Sequence, residues 1–144
     1  MDAQRNPDNA VLPLDKAVLK CISQWPGPAR RSFSTIRHIV LDVASRTGVG
    51  TLEETLKWGQ PSWLPRKKGV GATLRCNWSA KRPDHISLFV HCGSRIIEMI
   101  QPLYPTSIQY EGQRGLHMVL DDPLPIDAID HCVALTLTYH RKSA

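Results

Sequence analysis

At 144 residues, with 42% hydrophobic and 22% charged residues, the chain has the size and composition of one ordinary globular domain. No apolar run approaches the ~20 residues that cross a bilayer, which argues against a membrane protein. The net charge of +5 is uneven: Arg66, Lys67, Lys68, Arg75, Lys81 and Arg82 have no acidic residue among them and outweigh the whole excess.

Met1–Leu12 is polar and interrupted by Pro7, and is expected to be a flexible tail ahead of a single domain over residues 13–144. It holds two Asp, one Arg and no apolar stretch, so it does not read as a secretory leader. A cytoplasmic location is expected, where the four cysteines, Cys21, Cys76, Cys92 and Cys132, stay reduced. They form no CxxC pair, so nothing in their spacing points to a zinc ribbon or a redox motif.

Leu14, Val18, Cys21, Ile22 and Trp25 recur at helical spacing until Pro26–Gly27. Pro28 suits the first turn of a second helix, on which Phe33, Ile36, Val40 and Val43 share a face and which Gly48 closes. The first third therefore predicts a helical hairpin. Thr51 with Glu54 three positions on reads as a capping box opening a short third helix, which Gly59 and Pro61 end near Trp58. The period then changes. Ala72–Trp78 and His85–His91 read as strands joined by a turn-rich Ser79–Asp84. Ser94 is the expected cap of a helix Arg95–Gln101, and Ile108–Glu111 and Leu116–Leu120 predict two more strands.

Pro125 starts a last helix with Asp127 and Asp130 near its positive end and Arg141 and Lys142 near its negative one. Ile126, Ile129, Val133 and Leu137 mark one face; Ala128, Cys132, Leu135 and Tyr139 mark another. A helix apolar on two sides belongs at the centre of the packing. The expected class is α+β: an antiparallel sheet flanked by helices, with a helical hairpin first and a buried helix last.

Leu52–Pro65, reading LEETLKWGQPSWLP, resembles the signature of a family of small bacterial domains catalogued as domain of unknown function 1801, the YdhG-like domains. Gly71–Trp78, FVHCGS at Phe89–Ser94, YEGQRGL at Tyr110–Leu116, LDDPLP at Leu120–Pro125 and HCVALTLTYHRK at His131–Lys142 extend the likeness over most of residues 50–142. The resemblance implies helices packed on an antiparallel sheet and brings no established catalytic residues. Some members of this broad group resemble frataxins, which bind iron through an acidic helix and an edge strand. Here Leu14–Arg46 has only Asp15 and Asp42 against six Lys or Arg, a poor oxygen-ligand set for a hard cation.

Chemistry-bearing residues are few. His91 beside Cys92, and His131 beside Cys132, are badly spaced for chelating one ion, and a cluster of His91, Cys92, His117 and His131 would have to be assembled by the fold. The simpler expectation makes Cys92 and Cys132 small buried hydrophobes and the histidines polar edge residues. There is no GxSxG elbow, no phosphate loop and no HExxH, and GVGAT at Gly69–Thr73 enters a strand rather than a helix. The strongest candidate is the Trp58–Trp63 turn, with both indoles as walls of a ligand pocket and Gln60 as polar contact. Arg75, His91 and Tyr110 are candidates to complete it.

The expected function is non-catalytic binding of a small molecule or protein partner, without a cofactor or bound metal, by a monomer or homodimer. Frataxin-like iron binding is the alternative. Nucleic-acid binding along the Arg66–Arg82 stripe ranks third, since no recognition motif accompanies the charges.

Overall fold

The computed structural model describes residues 13–141, in four helices and six strands. The tail expected over residues 1–12 lies outside the described residues, as does Lys142 of the last helix's expected basic end. Helix α1 (Lys16–Ile22) begins where the Asp15 carboxylate accepts the Ala17 and Val18 amides at 3.0 and 3.1 Å. Helix α2 (Gly27–Thr47) carries Pro28 in its first turn and ends at Gly48, whose φ of 70° is the left-handed cap that glycine adopts without strain. The expected hairpin pairing of these helices is not the main contact. Helix α1 lies against the first two strands, and the chief helical partner of α2 is the last helix.

The predicted third helix is a β-hairpin. Strand β1 (Leu52–Lys57) pairs antiparallel with β2 (Gln60–Pro65), from Leu52 opposite Pro65 to Lys57 opposite Gln60. Residues 52–57 are mostly good helix formers, but tertiary pairing overrides so weak a preference. Two features favour the hairpin. Leu52, Glu54 and Leu56 alternate with Glu53, Thr55 and Lys57, and Trp58 and Gly59 both adopt positive φ, 57° and 74°, as a two-residue hairpin turn requires. Glu54 is no capping residue; its carboxylate takes the Trp63 indole N–H at 2.7 Å and Arg37 at 2.6 Å.

Strands β3 (Leu74–Ser79) and β4 (Arg82–Phe89) form a second hairpin with a narrower turn than expected, Ala80–Lys81. Helix α3 (Ile96–Ile100) follows, with Ile96, Ile97 and Ile100 buried. Ser94 does not cap it: its hydroxyl donates to the His91 carbonyl at 2.7 Å, closing the turn that leaves β4. Strands β5 (Gln109–Glu111) and β6 (Gly115–Val119) and helix α4 (Ile126–Leu137) complete the fold. The sheet order is β1-β2-β3-β4-β6-β5, antiparallel throughout.

Alternation gives the sheet two unlike faces. Trp63, Leu74, Cys76, Ile86, Leu88, Leu116 and Met118 point to one side and join the buried faces of the helices in a single core. Helix α4 lies within that core: Ala128, Ile129, Cys132, Val133 and Leu137 are all buried, while Ile126 at its entry is 45% exposed. The opposite, outer face carries Gln60, Ser62, Arg75, Asn77, Ser87, Phe89 and His117 by the same parity. No described helix is long and apolar enough to cross a membrane.

Candidate functional site

Trp58 sits at the tip of the β1–β2 hairpin, 88% exposed and with a left-handed backbone. A bulky aromatic pays conformational energy for that backbone, and an indole left in water recovers none by burial. Trp63, expected as the facing wall, is fully buried on the other side of the sheet, stacked on Phe33 with ring centres 5.7 Å apart. The reason is parity: position 63 faces the helices, where Glu54 satisfies its N–H. One indole of the pair is architectural and the other is free.

The outer face brings two of the predicted residues, Gln60 and Arg75, together beside Lys57. Lys57 pairs with Gln60, and Ser62 pairs with Arg75, so Lys57, Gln60 and Arg75 occupy adjacent positions across three strands. Arg75 Nη1 donates to Gln60 Oε1 at 3.2 Å, and its guanidinium lies 5.6 Å from the centre of the Phe89 ring. Arg114 approaches the same ring at 5.4 Å. Burial, and then the charge of Arg114, lower the Arg75 pKa from its usual value. No acid among the described residues forms an ion pair with Arg75.

Lys57, Trp58, Arg75 and His91 line a cleft of about 700 Å³, with Leu64 and Thr73 from the outer face. Its remaining wall is the stretch after α4, Tyr139 and His140, which the sequence reading missed. Two backbone bonds hold that wall in place: Ala72 N–H to the Thr136 carbonyl at 2.9 Å, and His140 N–H to the Val70 carbonyl at 3.0 Å. Gly71 makes the approach possible, because a Cβ there would run into the Leu137 carbonyl. Nothing local in the sequence marks Tyr139 and His140; only the crossing of α4 over the start of β3 brings them in. Lys57 had a weak signal, as the residue flanking a turn tryptophan.

Tyr110 stands apart from this cleft. It points to the helix side, where its hydroxyl donates to the Tyr104 carbonyl at 2.8 Å and burial raises its pKa. The histidines and cysteines also scatter. Cys92 is exposed rather than buried, whereas Cys76 and Cys132 are buried, and desolvation pushes the Cys132 thiol up to about 12. His131 meets Tyr104 at 3.3 Å, and no three His, Cys, Asp or Glu side chains among the described residues are placed to hold a metal ion. Asp15 and Asp42 are engaged in a helix cap and in an ion pair with Arg46.

His117 is not an edge residue. It is 4% exposed on the outer face, accepts the Ser87 hydroxyl on Nδ1 at 2.5 Å and donates from Nε2 to Glu111 at 2.8 Å. Burial lowers its pKa more than Glu111 raises it, so the neutral imidazole with its proton on Nε2 satisfies both partners. The chain Ser87–His117–Glu111 has the donor order of an acyl-transfer triad, but Ser87 is only 7% exposed, which leaves its hydroxyl little access to a substrate.

The basic stripe is dispersed by the fold. Arg66, Lys67 and Lys68 precede β3, while Lys81 and Arg82 lie beyond its far end, about 20 Å away for six strand residues. Compared with known proteins, the chain matches no protein-family model, no curated protein and no solved structure.

Proposed function

We propose that this chain is a YdhG-like domain whose task is to bind a small molecule, without turning it over, in the cleft between the β1–β2 hairpin tip and the end of α4. The observation that carries this reading is Trp58, a bulky residue in a left-handed turn and 88% exposed at the rim of a concave surface. Local strain without any gain in packing is a mark of function rather than of folding. The cleft combines a stiff aromatic with a few convergent polar groups, the usual composition of ligand sites.

An unbiased metabolite screen by thermal shift, repeated on Trp58→Ala, tests this. At least one compound is expected to stabilise the wild type and to lose that effect in the variant. Hits that stabilise both proteins equally would move the site elsewhere, and product formation from a hit would reject the non-catalytic reading.

A further inference from the structure

We propose that the ligand of this cleft is an organic anion, a carboxylate or a phosphate on a flat apolar group, with the anion held by Arg75 and Lys57 and the flat part laid on Trp58. The inference rests on the binding reading above and adds the chemical class. Two cations, Lys57 and Arg75, and two imidazoles, His91 and His140, border the cleft, and no Asp or Glu among the described residues lines it. Arg75 is the centre. Phe89 supports its guanidinium from below and Gln60 fixes Nη1, so the remaining N–H edge is held in one orientation. A planar fork held that way matches two oxygens of a carboxylate or phosphate.

The surroundings also call for a negative partner. Arg75 is half-buried, shares the Phe89 ring with Arg114, and has no acidic neighbour in ion-pair range among the described residues. A partly desolvated cation next to a second cation is stabilised when an anion arrives. Arg114 already donates to Glu111 at 3.4 Å, whereas Arg75 and Lys57 have no acidic partner among the described residues. Carboxylate and phosphate share this recognition chemistry, and only binding measurements separate them.

The test is a titration followed by the indole N–H signal of Trp58 in a nitrogen-15 correlation spectrum, using benzoate, phenyl phosphate and the neutral benzyl alcohol at millimolar concentration. Phenyl phosphate, benzoate or both are expected to shift the signal while benzyl alcohol does not, and whichever anion binds tighter identifies the headgroup. Arg75→Gln should weaken binding about tenfold or more, and Lys57→Gln by a smaller factor. If Arg75→Gln fails to fold, Lys57→Gln and the salt dependence of wild-type binding carry the test, because an ion pair formed in a solvent-open cleft weakens as salt rises. Benzyl alcohol binding as tightly as the anions would overturn the anion assignment and leave the cleft reading intact. Anion binding unchanged in both variants would overturn the assignment to Arg75 and Lys57. No shift from any probe would overturn the inference, and that outcome together with a metabolite screen that gives no Trp58-dependent hit would reject the cleft itself.

Discussion

Glu54 accepts four hydrogen bonds: two from Arg37 at 2.6 and 3.0 Å, one from the Trp63 indole at 2.7 Å and one from the Asp15 amide at 3.4 Å. Its spacing from Thr51 mimics a capping box, and nothing within three residues reveals that its partners lie on α2 and β2. Glu54→Gln keeps the shape and removes the charge, leaving a largely buried guanidinium unpaired. The expected cost is about 2–3 kcal/mol in urea denaturation, and a loss below 1 kcal/mol would contradict the role given to this carboxylate. His117 offers a pH signature. Burial, Arg82 and His85 lower its pKa and Glu111 raises it, with a net depression below 6.5. The unfolded chain therefore binds the proton first, and stability falls as pH drops through about 6.5 toward the lower folded value. Glu111, whose pKa is lowered mainly by its bond to His117, adds stability above about 4.5 that is lost only as pH falls below that value, outside the window in which His117 acts. His117→Gln is expected to flatten the loss between pH 7.5 and 5.5; a wild type equally stable at both pH values would show that the imidazole is not held neutral.

Among the elements, the β1–β2 hairpin was the hardest to read, and the proposed site depends on it most. Helix α2 and helix α4 were legible because three to six turns of periodic apolar residues outweigh local accidents, whereas LEETLK is short and its residues favour a helix. The sign that was present is the pair Trp58–Gly59 between two six-residue alternating runs; glycine supplies one left-handed residue, and tryptophan is an improbable supplier of the other. That improbability is testable. Asparagine is the favoured residue at the first turn position, so Trp58→Asn is expected to raise stability by about 0.5–1 kcal/mol while abolishing binding in the cleft. Thermal unfolding and the Trp58-dependent thermal-shift hits measure the two effects separately. A fall in stability would mean that the indole packs on the fold and is retained for that reason.

Over the whole molecule, site and core are joined at one crossing. The end of α4 passes over the start of β3, with Gly71 under the Leu137 carbonyl and the bonds from Ala72 and His140 on either side. The same helix buries Leu137 in the core and delivers Tyr139 and His140 to the cleft. A sequence reading that placed α4 at the centre had no means of seeing this, because the contact joins positions some seventy residues apart through backbone groups that carry no residue-specific signature. Gly71→Ala probes the joint. The added methyl has no flexible side chain to displace, only backbone, so α4 must shift away from β3 or the strand must bend. The expected stability loss is about 1–3 kcal/mol, as for other overpacked contacts. The two bonds that hold the Tyr139–His140 wall should lengthen with the shift, so amide hydrogen exchange at Ala72 and His140 should quicken more than in the centre of β3. Affinity for a cleft ligand should fall as well, although the added methyl is aimed at the Leu137 backbone rather than at a ligand. Lost stability with unchanged exchange at Ala72 and His140 would place the strain elsewhere and separate the core from the site.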